Sequence, residues 1–217
     1  SLHSPLYNDA AGARSGPQAV INITEPLKGK RMPMLDEIKR ALEIAETVPY
    51  RYLIQHLGVA GQEFDDRSVD AAFTALEEIS LFARQRGVEV LLENIPNAFS
   101  SAEGLLRFLG ITHLNLNICF DVGHAHMNEG VEAAYRMLKS RIRSTHVHDN
   151  DGKVDAHLFP GAAGGTIDWP RAMQALQSQE DRYPLLLELR EAPDVEHPFD
   201  AVRQAQSRAG TLSSQKM

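Results

Sequence analysis

"LNLNICFDVGHAHMNEGVEAAYRMLKSRIRSTHVHD", residues 114–149, decides the fold. Its first third is an apolar run ending at Asp121, its last third is a β-branched run ending at His148 and Asp149, and "GVEAAYRMLKS" between them has helical spacing. A strand, a helix and a second strand in so short a stretch form the crossover that joins parallel strands. The same alternation runs outward in both directions, which is the α/β pattern. The other predicted strands are "SLHSPL" (1–6), "RYLIQHL" (51–57), "VEVLLEN" (88–94) and "PLLLELR" (184–190). Most read as buried on both faces, as parallel strands do.

The connecting stretches read as amphipathic helices. "MLDEIKRALEIAETV" spaces Leu35, Ile38, Leu42 and Ala45 along one face and puts Asp36 and Glu37 in a first turn, where the helix dipole favours acids. "SVDAAFTALEEISLFARQRG" repeats the pattern and stops at Gly87; "SSAEGLLRFLG" opens on a Ser100/Glu103 capping box. "DWPRAMQALQS" has Asp168 as cap and Pro170 in its first turn. The stretch from Ala10 to Lys30, rich in Gly, Pro and Arg, reads as an active-site loop. Six βα units are two short of a closed (β/α)8 TIM barrel, so the expectation is a single domain over 1–217 holding strands three to eight, with about fifty residues absent ahead of Ser1. An open doubly wound sheet is the alternative.

Composition limits the function classes. With 217 residues, 43% of them hydrophobic, one sizeable core is expected. No apolar run is long enough for a membrane span, the N-terminus lacks the pattern of a signal peptide, and the lone Cys119 reads as core, so the protein is read as cytoplasmic. A net charge of −7 with no clustered basic stripe makes nucleic acid an unfavoured partner.

In parallel α/β proteins, ligand sites gather at the C-terminal ends of strands. The unusual polar residues fall there: His3, His56, Glu93, Asp121 with His124 three residues on, His146 and His148, and Glu188, with Asp155 and His157 shortly after strand five. Each has an ordinary explanation alone, such as a terminal residue for His3, a carbonyl-bonded core histidine for His56 or a solvated loop for Asp155 and His157. Glu93 and Glu188 close apolar runs, where an unpaired carboxylate carries a heavy desolvation cost and calls for a cation. Asp121 and His124 converge if the chain turns at Gly123. The joint pattern suits a catalytic His/carboxylate site for a divalent ion, zinc or manganese first and magnesium or cobalt next.

With these residues in hand, the sequence resembles the xylose-isomerase-like TIM-barrel superfamily, through "LLENIPN", "CFDVGHAH", "HVHDNDGKVDAH", "PGAAGGTIDW" and "LLLELRE" in the family's order. That resemblance implies one metal on Glu93, Asp121, one histidine of "HVH" and Glu188 in the epimerase branch. Glu93 and Glu188 would also be the acid and base, and His124 would touch substrate. Which of His146 and His148 is the ligand stays open. The endonuclease IV branch implies nine ligands around three zinc ions, and its extra positions match His3, His56, Asp155 and His157. The expected activity is a metal-dependent isomerase or epimerase of a sugar or sugar phosphate, with Arg14, Lys28, Lys30 and Arg31 as anion contacts and a homo-oligomer as a possible assembly. A multi-zinc phosphodiesterase and a non-catalytic metal-binding barrel are the alternatives. Asp155 and His157 discriminate: folded back among the ligands they favour several ions, and facing solvent they favour one.

Overall fold

The computed structural model describes residues 1–7, 20–112, 114–177, 183–190, 197, 200 and 202–203. The chain divides into two compact units, Ser1–Asn117 and Ile118–Met217. The first contains β1 (Leu2–His3), α1 (Lys28–Glu43), β2 (Tyr52–His56), α2 (Asp66–Arg84), β3 (Glu89–Glu93) and α3 (Ala102–Ile111). β1 pairs parallel with β2, His3 beside Ile54, and β2 pairs parallel with β3, His56 beside Glu93. That last register puts two predicted ligands side by side at the strand ends. Leu53, Ile54, Leu91 and Leu92 of the strands are fully buried, with Ile38 and Leu42 of α1 and Leu76 and Ile79 of α2. Each such side chain contributes about 1.5–3 kcal/mol of burial, which makes this a rigid base for what stands on its rim.

The second unit begins within β4 (Asn117–Asp121) and continues through α4 (Val122–Met127), α5 (Val131–Leu138), β5 (Ile142–Val147), α6 (Trp169–Leu176) and β6 (Leu185–Leu187). β5 pairs parallel with both β4 and β6, setting Asp121 and Leu186 on either side of His146. Cys119 is a fully buried free thiol, as its setting in an apolar run predicts. Among the described residues, no helix is long and apolar enough to cross a membrane.

Three local expectations need correction. α1 begins at Lys28, well before "MLDE", and carries Pro33 inside it, so Asp36 and Glu37 lie beyond its first turn. Its start is held by Arg31, a buried side chain that donates to the carbonyls of Glu25 and Pro26, which takes Arg31 away from any substrate anion. Ser101, not Ser100, caps α3 by accepting from Gly104 N, while the Ser100 hydroxyl is buried and donates to Leu57 O. The expected loop turn at Gly123 is instead the start of α4, because the Asp121 carboxylate accepts from His124 N at 2.6 Å and nucleates a helical turn. Of the expected active-site loop from Ala10 to Lys30, residues 10–19 lie outside the described residues, and Val20 forms an antiparallel bridge with Tyr7, which precedes the loop. Arg14 lies outside the described residues, and Lys28 and Lys30 are exposed at the start of α1.

Candidate metal centre

In the first unit, β1, β2 and β3 each deliver one side chain. His3 Nε2 is 3.1 Å from His56 Nε2 and 3.4 Å from Glu93 Oε2, and His56 Nε2 is 3.1 Å from the same oxygen. Glu93 is 1% exposed, and His3 and His56 are half-buried. Two imidazole nitrogens and a carboxylate oxygen gathered within 4.8 Å of one another are a three-donor set of the kind zinc takes. His3 Nδ1 also meets the carbonyl of Ser4 at 2.7 Å; as the donor there it leaves Nε2 as the lone-pair nitrogen facing the group.

In the second unit, Asp121 stands between two groups. Its Oδ2 is 3.9 Å from His146 Nδ1, which in turn is 3.0 Å from Glu188 Oε2. Its Oδ1 is 3.1 Å from His148 Nε2 and 3.4 Å from His124 Nδ1. The two histidines of "HVH" therefore part company. His146 belongs with Asp121 and Glu188, and His148 belongs with His124, Asp155 and His157, whose donor atoms also lie within 4.8 Å of one another. His146 is a member of β5, but the strand ends at Val147 and His148 sits past it, so the strict alternation of a strand does not carry that far.

Asp155 and His157 fold back onto this second group. Asp155 Oδ2 is 3.3 Å from His124 Nε2 and 3.2 Å from His157 Nε2, and the His157 ring stacks on that of His148 at 3.9 Å and 12°. Burial pushes the Asp155 carboxyl up, but hydrogen bonds from His124 and His157 together draw it far below the usual carboxylate range. The reciprocal bond from Asp155 raises His157 above the ordinary histidine value. An anionic carboxylate among imidazoles is the electrostatic state a divalent ion requires. His157 also has φ of 47°, the single non-glycine residue with positive φ among the described residues. Such a conformation is costly and persists where the surroundings hold it, as at a ligand site. Its Nδ1 is 3.1 Å from Glu188 O.

The intervening stretch "NDGK" is a turn built by its own side chains. Asn150 Oδ1 accepts from Gly152 N, Asp151 Oδ1 accepts from Lys153 N and Val154 N, and Gly152 takes φ of 77°. The backbone closes behind it through reciprocal bonds between Asp149 and Leu158, at 2.8 and 2.9 Å. Two residues hold this arrangement: Asp149, which sequence reasoning passed over, and Gly123, which it read only as a turn. Asp149 is 1% exposed and accepts four hydrogen bonds, from the backbone N–H of Asn150, Gly161 and Ile167 and from Trp169 Nε1. Gly123 leaves the space in which the His148 ring lies: a Cβ there would stand 2.1 Å from His148 Cε1. His126 meets Thr166 Oγ1 at 2.8 Å.

The second unit's group fits a divalent metal on an observation beyond the donor types. Both ring nitrogens of the fully buried His148 lack an aligned hydrogen-bond partner among the described residues, although Nε2 is close to Asp121. A buried imidazole with neither nitrogen bonded is costly unless something else takes its lone pair.

Comparison with known proteins shows the family and the fold. A protein of Methanocaldococcus jannaschii, MJ1614, is 25% identical over 147 residues, covering 65% of this chain and 57% of its own. A protein of Natronomonas pharaonis named "Probable endonuclease 4" is 25% identical over 167 residues, 67% of this chain and 59% of its own. The chain thus spans a little over half the length of these relatives. A crystal structure of a D-tagatose 3-epimerase-like protein superposes with a TM-score of 0.73 at 24% identity, covering 96% of this chain and 77% of that one, a likeness of fold. The sequence model of one family matches residues 1–209, and the chain belongs to that family, the xylose isomerase-like TIM barrels.

Proposed function

We propose that this chain is the metal-holding part of an enzyme that hydrolyses phosphate esters of sugars with more than one divalent ion. The observation that carries this reading is the return of Asp155 and His157 onto His124 and His148, since a reaction needing one ion has no use for that second group of donors. The His3, His56 and Glu93 triad is a further set of ligands. Bound ions would supply Lewis acidity and a nucleophile available at neutral pH. In this reading buried Glu93 holds charge in the first unit and buried Asp121 in the second, while the side chains of Glu188 and Asp155, 36% and 39% exposed, border the substrate.

A second reading is metal-assisted isomerisation or epimerisation of a sugar or sugar phosphate, with Glu93 and Glu188 as proton acceptor and donor. The charge of −7 and the acidic run of Glu63, Asp65 and Asp66 favour it over any reaction on a polyanion. A sugar or sugar phosphate is common to both. Metal-loaded full-length protein, with its ions counted by mass spectrometry, is assayed on bis(4-nitrophenyl) phosphate, on duplex DNA with an abasic site and on ketohexoses in deuterated water. Ester cleavage that Asp155→Ala or His157→Ala abolishes supports hydrolysis. Carbon-bound deuterium uptake that survives those variants and is lost in Glu188→Gln would instead establish the second reading.

A further inference from the structure

Of the cations expected to meet a substrate anion, Arg31 is spent on the carbonyls of Glu25 and Pro26. The second unit carries a cation of its own at the edge of its donor groups: Arg190, two residues on from Glu188 and just past β6. We propose that the Arg190 guanidinium receives the phosphate of a sugar phosphate monoester, and so selects monoesters over the diesters of nucleic acid. The inference rests on the ester-hydrolysis reading above and names its substrate class.

Three observations carry it. Arg190 is fastened to the segment that bears Asp155 and His157: its backbone N donates to His157 O at 3.1 Å, and its Nη2 donates to Asp155 O at 3.4 Å. The guanidinium is exposed and has no ion-pair partner among the described residues, whereas Arg171 is spent on Glu132 and Arg203 on Asp200. The half-buried carboxylates of Asp155 and Glu188 flank its anchorage, and they would repel an arriving phosphate. A cation fastened beside them offsets that repulsion where it acts, within a few ångströms.

A guanidinium presents its N–H donors as a planar fork that matches two oxygens of one phosphate. A monoester has three unesterified oxygens, so two can fill the fork while one stays open to an ion. A diester has only two, and the fork would use both. When such a monoester is hydrolysed, water adds to phosphorus, the bond to the sugar oxygen breaks, and that oxygen takes one of the water's protons. The product left beside Arg190 is inorganic phosphate, which is therefore a direct probe of the contact.

Metal-loaded full-length protein, Arg190→Gln and Arg190→Lys are titrated calorimetrically with inorganic phosphate and with dimethyl phosphate, and the bound ions of each are counted by mass spectrometry. The parent should bind inorganic phosphate about tenfold or more tightly than dimethyl phosphate. Arg190→Gln should keep its ions and lose about tenfold in phosphate affinity, the loss expected for a charge-assisted hydrogen bond. Arg190→Lys keeps the charge without the fork and should lie between the two. Equal phosphate affinity in the parent and Arg190→Gln, or none in either, overturns the role of Arg190. Equal affinity of the parent for both probes overturns the selection of monoesters. Arg190→Gln that sheds its ions along with phosphate also overturns the proposal, since the side chain then supports the donor group and not the substrate. Cleavage of 4-nitrophenyl phosphate by the parent is followed in parallel. Its absence beside Arg190-dependent phosphate binding overturns hydrolysis and leaves Arg190 as the phosphate contact. Its presence beside phosphate binding indifferent to Arg190→Gln does the reverse.

Discussion

Asp149 shows how much of a candidate metal centre can rest on a residue that is not among the candidate ligands. Its carboxylate is buried beside His148 and takes two N–H donors on each oxygen: Asn150 N and Ile167 N on Oδ1, Gly161 N and Trp169 Nε1 on Oδ2. A carboxylate is the side chain suited to this, since it accepts on both oxygens and donates on neither. Asp149→Asn would turn an amide NH2 toward two of those donors and leave them buried and unpaired. A loss of about 3 kcal/mol is expected, on the order of two such groups, read as a lower midpoint of urea unfolding. Trp169→Phe removes one charge-assisted bond and should cost less, about 2 kcal/mol. Asp149 was not legible in the sequence, and Gly123 was read there only as a turn. "HVHD" advertises its histidines, and the aspartate's partners lie up to twenty residues downstream, while the demand on Gly123 is for space and comes from a ring twenty-five residues away. The residues that gather in these groups stood out in the sequence because carboxylates and imidazoles at the ends of apolar runs have few ordinary explanations. Their partition into groups did not, because it depends on where β5 stops.

At the scale of elements, strands and long helices declare themselves by period, and their ends depend on single hydrogen bonds. All six strand segments expected from apolar runs contain an observed strand, shortened to the residues that pair. α4 escaped notice because "VGHAHM" has no apolar period, and the Asp121 cap that starts it looks from sequence like a ligand and nothing more. α2 gives the cleanest test of such a cap. Asp65 accepts from Arg67 N and Ser68 N and from the Ser68 hydroxyl, whose bond is the largest cause of a carboxyl pKa below its ordinary value of 3.8. A depressed carboxyl contributes stability that is complete above its unfolded-state pKa and is lost as pH falls through the lower, folded value. Asp65→Ala should therefore cost about 1 kcal/mol at neutral pH. The difference between parent and variant should shrink as pH falls below about 4, where protonation removes the same interaction from the parent. A difference that stays constant with pH would mean that the hydroxyl bond, and not the charge, carries the cap.

For the whole molecule, both units end their strands in carboxylates and imidazoles crowded at hydrogen-bond distance, a poor arrangement for a metal-free protein. Glu93 and Asp121 are buried at 1% and 0% exposure, and the chain already carries a charge of −7. Divalent ions that bind the folded chain and not the unfolded one stabilise it by mass action, about 2.7 kcal/mol for each site when free ion is a hundredfold above its dissociation constant. For a chain of this size that corresponds to roughly 5–10 °C in Tm. Chelation should lower Tm by at least this much, zinc should restore it, and protease should cut the Asp149–Leu158 segment faster in the chelated protein. His56→Ala should remove the first unit's share of the increment and His157→Ala that of the second, so a single-step loss in either variant would mean one site rather than several. The second share should also depend on pH in a definite direction. His157 must give up its proton to become a ligand, and its bond to Asp155 raises the pKa at which it does so. The zinc-dependent rise in Tm should therefore weaken as pH falls through that raised value, and in His157→Ala this part of the pH dependence should be missing.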